Sequence, residues 1–166
     1  MAKDIILQVI GDIGVDGATY RTMEWTGEAI MNFPMEERMT LCNMAIEGGG
    51  KNAVIAADDV TFEYVKKRTD KPYNTYQSDQ DAKYYFKKTY DASTMEPVVA
   101  KPHSPDNKAL VKECSDVKID RSYIGSCTGG KYTDFLAAAK LLNGKKVAVN
   151  TFIVPATTEV YNDLKN

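Results

Sequence analysis

Apolar residues near the start of the chain recur at Ile6, Val9, Ile10 and Ile13, steps of three, one and three that place them on one stripe of a helix over 4–13, ended by Gly14. After Gly17 the stretch 18–25, with its Thr, Tyr and Trp, roughly alternates as a half-buried strand does. Pro34 with Glu36 and Glu37 just behind it suits a helix N-terminus. The expected helix runs over 34–47, buries Met35, Met39, Cys42 and Ile46 at steps of four, three and four, and stops at Gly48, Gly49 and Gly50. Residues 53–56 read as a buried strand, and Asp58 and Asp59 as the cap of a following helix that carries Phe62 and Val65. A polar loop is expected over 69–78, and 84–90, whose aromatics and lysines fit either pattern, is expected as a strand. Pro97, Pro102 and Pro105 keep 93–107 extended and mark a lobe boundary, giving expected domains at 1–95 and 96–166. Beyond it, strands over 117–124 and 147–154 flank an alanine-rich helix over 133–142, a βαβ unit. The alternation of strands and helices predicts a layered α/β fold.

Composition narrows the classes of function. The 166 residues are 43% apolar and 27% charged, enough for one ordinary core or two small lobes. Twenty-one Lys and Arg against 23 Asp and Glu leave a charge of -2, which provides no electrostatic footprint for nucleic acid. Apolar runs are a few residues long, against the roughly 20 that a membrane span needs. Asp4 and Asp12 lie where a signal peptide would be uncharged, so the expected location is cytoplasmic. Cys42, Cys114 and Cys127 are three in number, irregularly spaced and without a CxxC pair, which argues against disulfide stapling and leaves room for one functional cysteine.

The segment with most chemistry is Tyr123-Ile-Gly-Ser-Cys-Thr-Gly-Gly-Lys131, where a strand hands over to a helix. Such turns lie at the carboxyl edge of a parallel sheet, where ligands bind. Cys127 at the tip, near the positive end of a helix, reads as a reactive or metal-bound sulfur. The alternative, an inert buried thiol, is the commoner fate of cysteine on composition alone. Gly125, Gly130 and Lys131 also fit the core of a phosphate-cradling loop, but Tyr132 stands where that pattern needs Ser or Thr to hold magnesium.

That segment, continued by Thr133-Asp-Phe-Leu-Ala-Ala-Ala-Lys140, resembles the first cluster-cysteine motif of the aconitase family. Met35 to Glu47, Ile55 to Tyr64, Glu96 to Asn107 and Ile153-Val-Pro-Ala-Thr-Thr158 resemble the same family in order, within its branch of isopropylmalate dehydratases and homoaconitases. The resemblance implies a three-layer αβα architecture with mainly parallel sheets, an aconitase-like second domain over 1–95 and the first half of a third over 96–166. It implies a hydro-lyase that isomerises a hydroxy acid by dehydration and rehydration, with homoaconitase or an aconitase-type hydratase as the alternative. The implied cofactor is a [4Fe-4S] cluster held by three thiolates with one iron open as a Lewis acid. Cys127 matches the first ligand, with Ser126 and Thr128 beside it, and Asn43 and Glu47 match a pair that hydrogen-bonds the iron-bound water or substrate. Four residues apart on a helix, those two would share a face; without the resemblance, a solvated polar face is the better explanation of them. Gly129 departs from many relatives, which carry Asn there. The other two cluster ligands, a histidine- and aspartate-bearing domain and a swivelling small subunit are implied partners outside these residues, so the chain is expected to be an internal fragment, inert alone.

Overall fold

The computed structural model describes residues 1–165 and divides into two compact units, Met1–Leu110 and Val111–Asn166. The first is built on helix α1, Ala2–Ile13, which buries Ala2, Ile6, Leu7, Val9 and Ile10. Ile6 and Ile10 are fully covered, as the apolar stripe predicts, and they join Leu7, Ile30, Leu41 and Met44 in one core cluster. Strand β1 is short, Thr22–Glu24, and pairs in parallel with β2, Asn52–Val54, in the register Met23 to Ala53. The expected strand over 18–25 therefore shrinks to its middle, because Tyr20 takes a positive φ of 59° and turns the chain before it can pair.

A single turn, α2 (Glu28–Met31), leads into α3, Met35–Asn43, which starts after Pro34 with Glu36 and Glu37 in its first turn. From Met44 to Gly48 the chain tightens into a 3-10 helix, closed by Gly49 at φ 84°. The sequence places one continuous helix over 34–47 with Met35, Met39, Cys42 and Ile46 inside; the structure corrects both points. Ile46 is 65% exposed, and the face turned to the core carries Arg38, Thr40, Leu41, Met44 and Ala45 instead. Leu41 and Met44 meet α1, while Arg38 is an anchored charge that an apolar-stripe count does not see.

Helix α4, Asp59–Lys66, is capped by Asp58, whose carboxylate accepts the Thr61 N–H. The segment 84–90, expected as a strand, forms neither strand nor helix. Tyr85 is 83% and Phe86 63% exposed, and the rings of Tyr84 and Tyr85 are met by the cations of Lys87 and Arg21 rather than by a neighbouring strand. The proline-rich stretch folds into an antiparallel hairpin, β3 (Val98–Ala100) with β4 (Lys108–Leu110). That hairpin docks on α1: the Val98 N–H donates to Asp4, and Lys108 pairs with Asp12 at 2.7 Å. This packing is why the first unit continues to Leu110 rather than ending near 95.

The second unit is a βαβ motif. Strand β5 (Arg121–Gly125) and strand β6 (Asn150–Val154) pair in parallel, in the register Tyr123 to Phe152 and Gly125 to Val154. Helix α5, Tyr132–Leu142, connects them and buries Phe135, and a short helix α6, Thr158–Asp163, follows with Thr157 as its cap. Both strands are shorter than the expected 117–124 and 147–154, since Val117, Ile119 and Val147 are exposed and unpaired. The class is α/β, with two of the three strand pairs among the described residues parallel. Among the described residues no helix is long and apolar enough to cross a membrane.

Candidate functional site

At the carboxyl end of β5 the chain makes a closed turn whose geometry is set by Ser126. Its φ of 86° reverses the backbone, and its Oγ accepts the N–H of Thr128 at 3.3 Å and of Gly129 at 3.1 Å. The Thr128 hydroxyl lies 3.2 Å from the same oxygen. With Ser126 turned into the loop, Cys127 is left at the tip with its thiol exposed. Cys127 is thus not a buried thiol.

The turn is clamped to the end of β6. The Ala156 N–H donates to the Gly130 carbonyl at 2.9 Å, and a Cβ on Gly130 would come within 2.5 Å of the Ser126 carbonyl oxygen. Only glycine lets these two backbones approach so closely. Lys131 is 8% exposed and closes the turn from below, with its Nζ donating to the Thr128 carbonyl at 3.1 Å and its backbone N–H donating to Asp134 at 3.0 Å. A phosphate-cradling loop needs that lysine free to reach outward, so the nucleotide-binding alternative fails on geometry as well as on Tyr132.

Asn43 and Glu47 lie in the first unit, at the junction of α3 and the 3-10 helix. Because that junction winds at three residues per turn, the shared helix face expected from a spacing of four is lost: four steps of about 120° leave the two side chains roughly a third of a turn apart. Asn43 is exposed. Glu47 is half-buried, and its Oε2 is covered and has no hydrogen-bond partner. A buried carboxylate oxygen without a donor is costly, and it marks the place where a ligand's donor would be welcome. Spacing alone cannot reveal such an oxygen.

The remaining thiols behave differently. Cys42 is half-buried on α3, and burial pushes its pKa up; Cys114 is half-buried in a 3-10 turn. Among the described residues no three His, Cys, Asp or Glu side chains come together to hold a metal ion. The turn at Cys127 thus fits a [4Fe-4S] cluster as one thiolate ligand flanked by hydroxyls and not as a complete ligand set. Sequence reasoning also passed over Arg38 and its pairing with the cap residue Asp58 at 2.6 Å; the signal available was an arginine three residues ahead of a buried leucine.

The sequence model of the aconitase family (aconitate hydratase) matches residues 1–116 and 110–166. The chain belongs to the aconitase family. The chain is 59% identical over 165 residues to the chloroplastic 3-isopropylmalate dehydratase large subunit of Arabidopsis thaliana, covering 98% of this chain and 32% of that protein. Large subunits of the same name from Heliobacterium modesticaldum and Thermodesulfovibrio yellowstonii are each 53% identical over 161 residues, 96% of this chain and 38% of theirs. The chain spans about a third of the length of the curated relatives it matches.

Proposed function

We propose that these residues form part of the large subunit of a 3-isopropylmalate dehydratase, a hydro-lyase of leucine biosynthesis, acting with a small subunit. The reading is supported by the names of the relatives, and the observation that carries it is the exposed Cys127 thiol on a turn whose hydroxyls, glycines and lysine all serve to present it. In the whole protein Cys127 would serve as one thiolate ligand of a [4Fe-4S] cluster. When bound, that cluster would supply Lewis-acid chemistry toward the hydroxyl and carboxylate of the substrate.

The chain's own residues have separate tasks. Ser126 fixes the turn, and its backbone reversal sets the direction of the sulfur. The Thr128 hydroxyl, beside the Ser126 Oγ, gives the turn a polar rim. Glu47 offers a desolvated carboxylate oxygen that accepts a hydrogen bond from a hydroxyl or water, and the exposed Asn43 amide can donate to a carboxylate. The three free cysteines suit a compartment that keeps thiols reduced, such as the cytoplasm.

The test is Cys127→Ser in the whole protein, reconstituted anaerobically with iron and sulfide and assayed with its small subunit on 3-isopropylmalate. Loss of the four-iron absorbance and of dehydration is expected. A variant that keeps a four-iron cluster and wild-type turnover would remove the proposal.

A further inference from the structure

Helix α3 is held in an unusual way for a nine-residue helix packed on a core. Its buried residues are Arg38, Thr40 and Leu41, so only one apolar side chain of the helix is fully buried, with Met35, Met39 and Cys42 half-buried. Leu41, with Met44 just beyond the helix, fixes the side facing α1. The other side is fixed by one guanidinium. Arg38 is 2% exposed and spends its donors on three separate elements. Its Nε donates to the Phe33 carbonyl at 3.0 Å and its Nη2 to the Met31 carbonyl at 2.6 Å, tying down the end of α2 and the turn behind it. Nη1 and Nη2 meet the two oxygens of Asp58 at 2.6 and 2.8 Å. Asp58 is in turn the cap of α4, accepting the Thr61 N–H at 3.3 Å.

A planar fork that satisfies two carbonyls and both oxygens of a carboxylate admits one orientation of the helix that carries it. An apolar side chain of similar volume serves stability as well or better but does not fix rotation about the helix axis. What lies downstream makes that rotation matter. Asn43 follows Arg38 by five residues, about 7.5 Å along the axis at 1.5 Å per residue, and the 3-10 turn with Glu47 continues directly from it.

We propose that Arg38, clamped by Asp58, is a positioning residue that sets the placement of Asn43 and the orphaned Glu47 carboxylate. The inference rests on the functional reading above and assigns the two clamp residues no contact with substrate. A displacement of about 1 Å in groups that touch reacting atoms lowers turnover by about 100-fold, so loosening the clamp acts on kcat and leaves KM nearly unchanged.

Asp58→Asn is the informative variant, because Asn caps α4 as well as Asp while the ion pair is lost. Two measurements on the whole protein decide the matter. In the cluster-free protein, hydrogen exchange in peptides covering 35–50 should rise several-fold while peptides of α1 stay protected. In the loaded enzyme with its small subunit, kcat for 3-isopropylmalate should fall by about 10- to 100-fold at a temperature where the protein is folded. Glu47→Gln should fall too, and the double variant should lose little more than the worse single one, since both changes strike the same group. Multiplying losses, or unchanged exchange over 35–50, would overturn the clamp. Should Glu47→Gln turn over at the wild-type rate, the functional reading itself fails, and the clamp's role falls with it for that separate reason. Arg38→Lys, which keeps a cation but cannot fork, carries the same comparison if Asp58→Asn does not fold.

Discussion

Replacing Gly130 with alanine probes the device that presents Cys127. The new Cβ would meet the Ser126 carbonyl oxygen at 2.5 Å, the Val154 carbonyl oxygen at 2.9 Å and the Ala156 nitrogen at 3.0 Å. All three are main-chain atoms, so no side chain can swing aside. Gly130 does not have a positive φ, so the penalty is steric rather than torsional. Overpacking of this kind costs about 1–3 kcal/mol. Relief requires the turn to lift away from β6, which also breaks the bond from the Ala156 N–H to the Gly130 carbonyl, a further loss of about 1 kcal/mol. Gly130→Ala should therefore destabilise the second unit by about 2–4 kcal/mol. Hydrogen exchange at Ala156 and along β5 and β6 reads this directly. The sole tryptophan, Trp25, lies in the first unit and serves as an internal control whose emission should not change. Wild-type protection at Ala156 would refute the close-approach argument.

Three further outcomes are expected. Burial of the Asp12 carboxyl pushes its pKa up, but hydrogen bonds from Lys108 and Lys88 outweigh it and hold it at about 2, below the ordinary 3.8. Its folded value is depressed, so its stabilisation is nearly complete above about pH 4 and is lost as the pH falls through about 2; Asp12→Asn should cost about 1 kcal/mol at pH 7, discounted for solvent screening, and only a small part of that near pH 2, read from urea midpoints. Leu41→Ala, at a fully buried position, should cost about 2–5 kcal/mol in the same titration followed by Trp25 emission. Brief alkylation with iodoacetamide, read by peptide mass mapping, should modify the exposed Cys127 before Cys42, whose thiol is shielded and raised in pKa by burial; equal labelling would contradict the exposures.

What the sequence made legible was local. The stripe of α1, the capping of α4 by Asp58 and the left-handed stop at Gly49 all depend on residues within a turn or two of one another, and the order of strand, helix and strand in the second unit follows from three such local patterns in series. The Cys127 turn was legible for the same reason: its constraints, Ser126 to Gly129 and Lys131 to Thr128, span two or three residues. The failures were non-local. Segment 84–90 has strand-like composition, yet a strand needs a partner, and here exposed rings pair with cations instead. The hairpin over 98–110 joins α1 through Asp4 and Asp12, contacts roughly ninety residues distant that no local pattern announces.

Helix α3 shows the sharpest conflict between pattern and packing. Four sulfur-bearing or aliphatic residues at helical spacing outvoted one arginine in the sequence reading, yet the arginine is inside and Ile46 outside. A charge is buried only where every donor finds an acceptor, and Arg38 finds Phe33, Met31 and both Asp58 oxygens. These acceptors come from elements on either side of α3, so no window along α3 contains the reason for its orientation. On the proposed reading of Glu47, the cost of that arrangement is offset by the orientation it fixes. A helix meant only to fill a core would bury Met35 and Ile46, whereas one meant to hold Glu47 at a fixed angle gains from a fork that fits a single way.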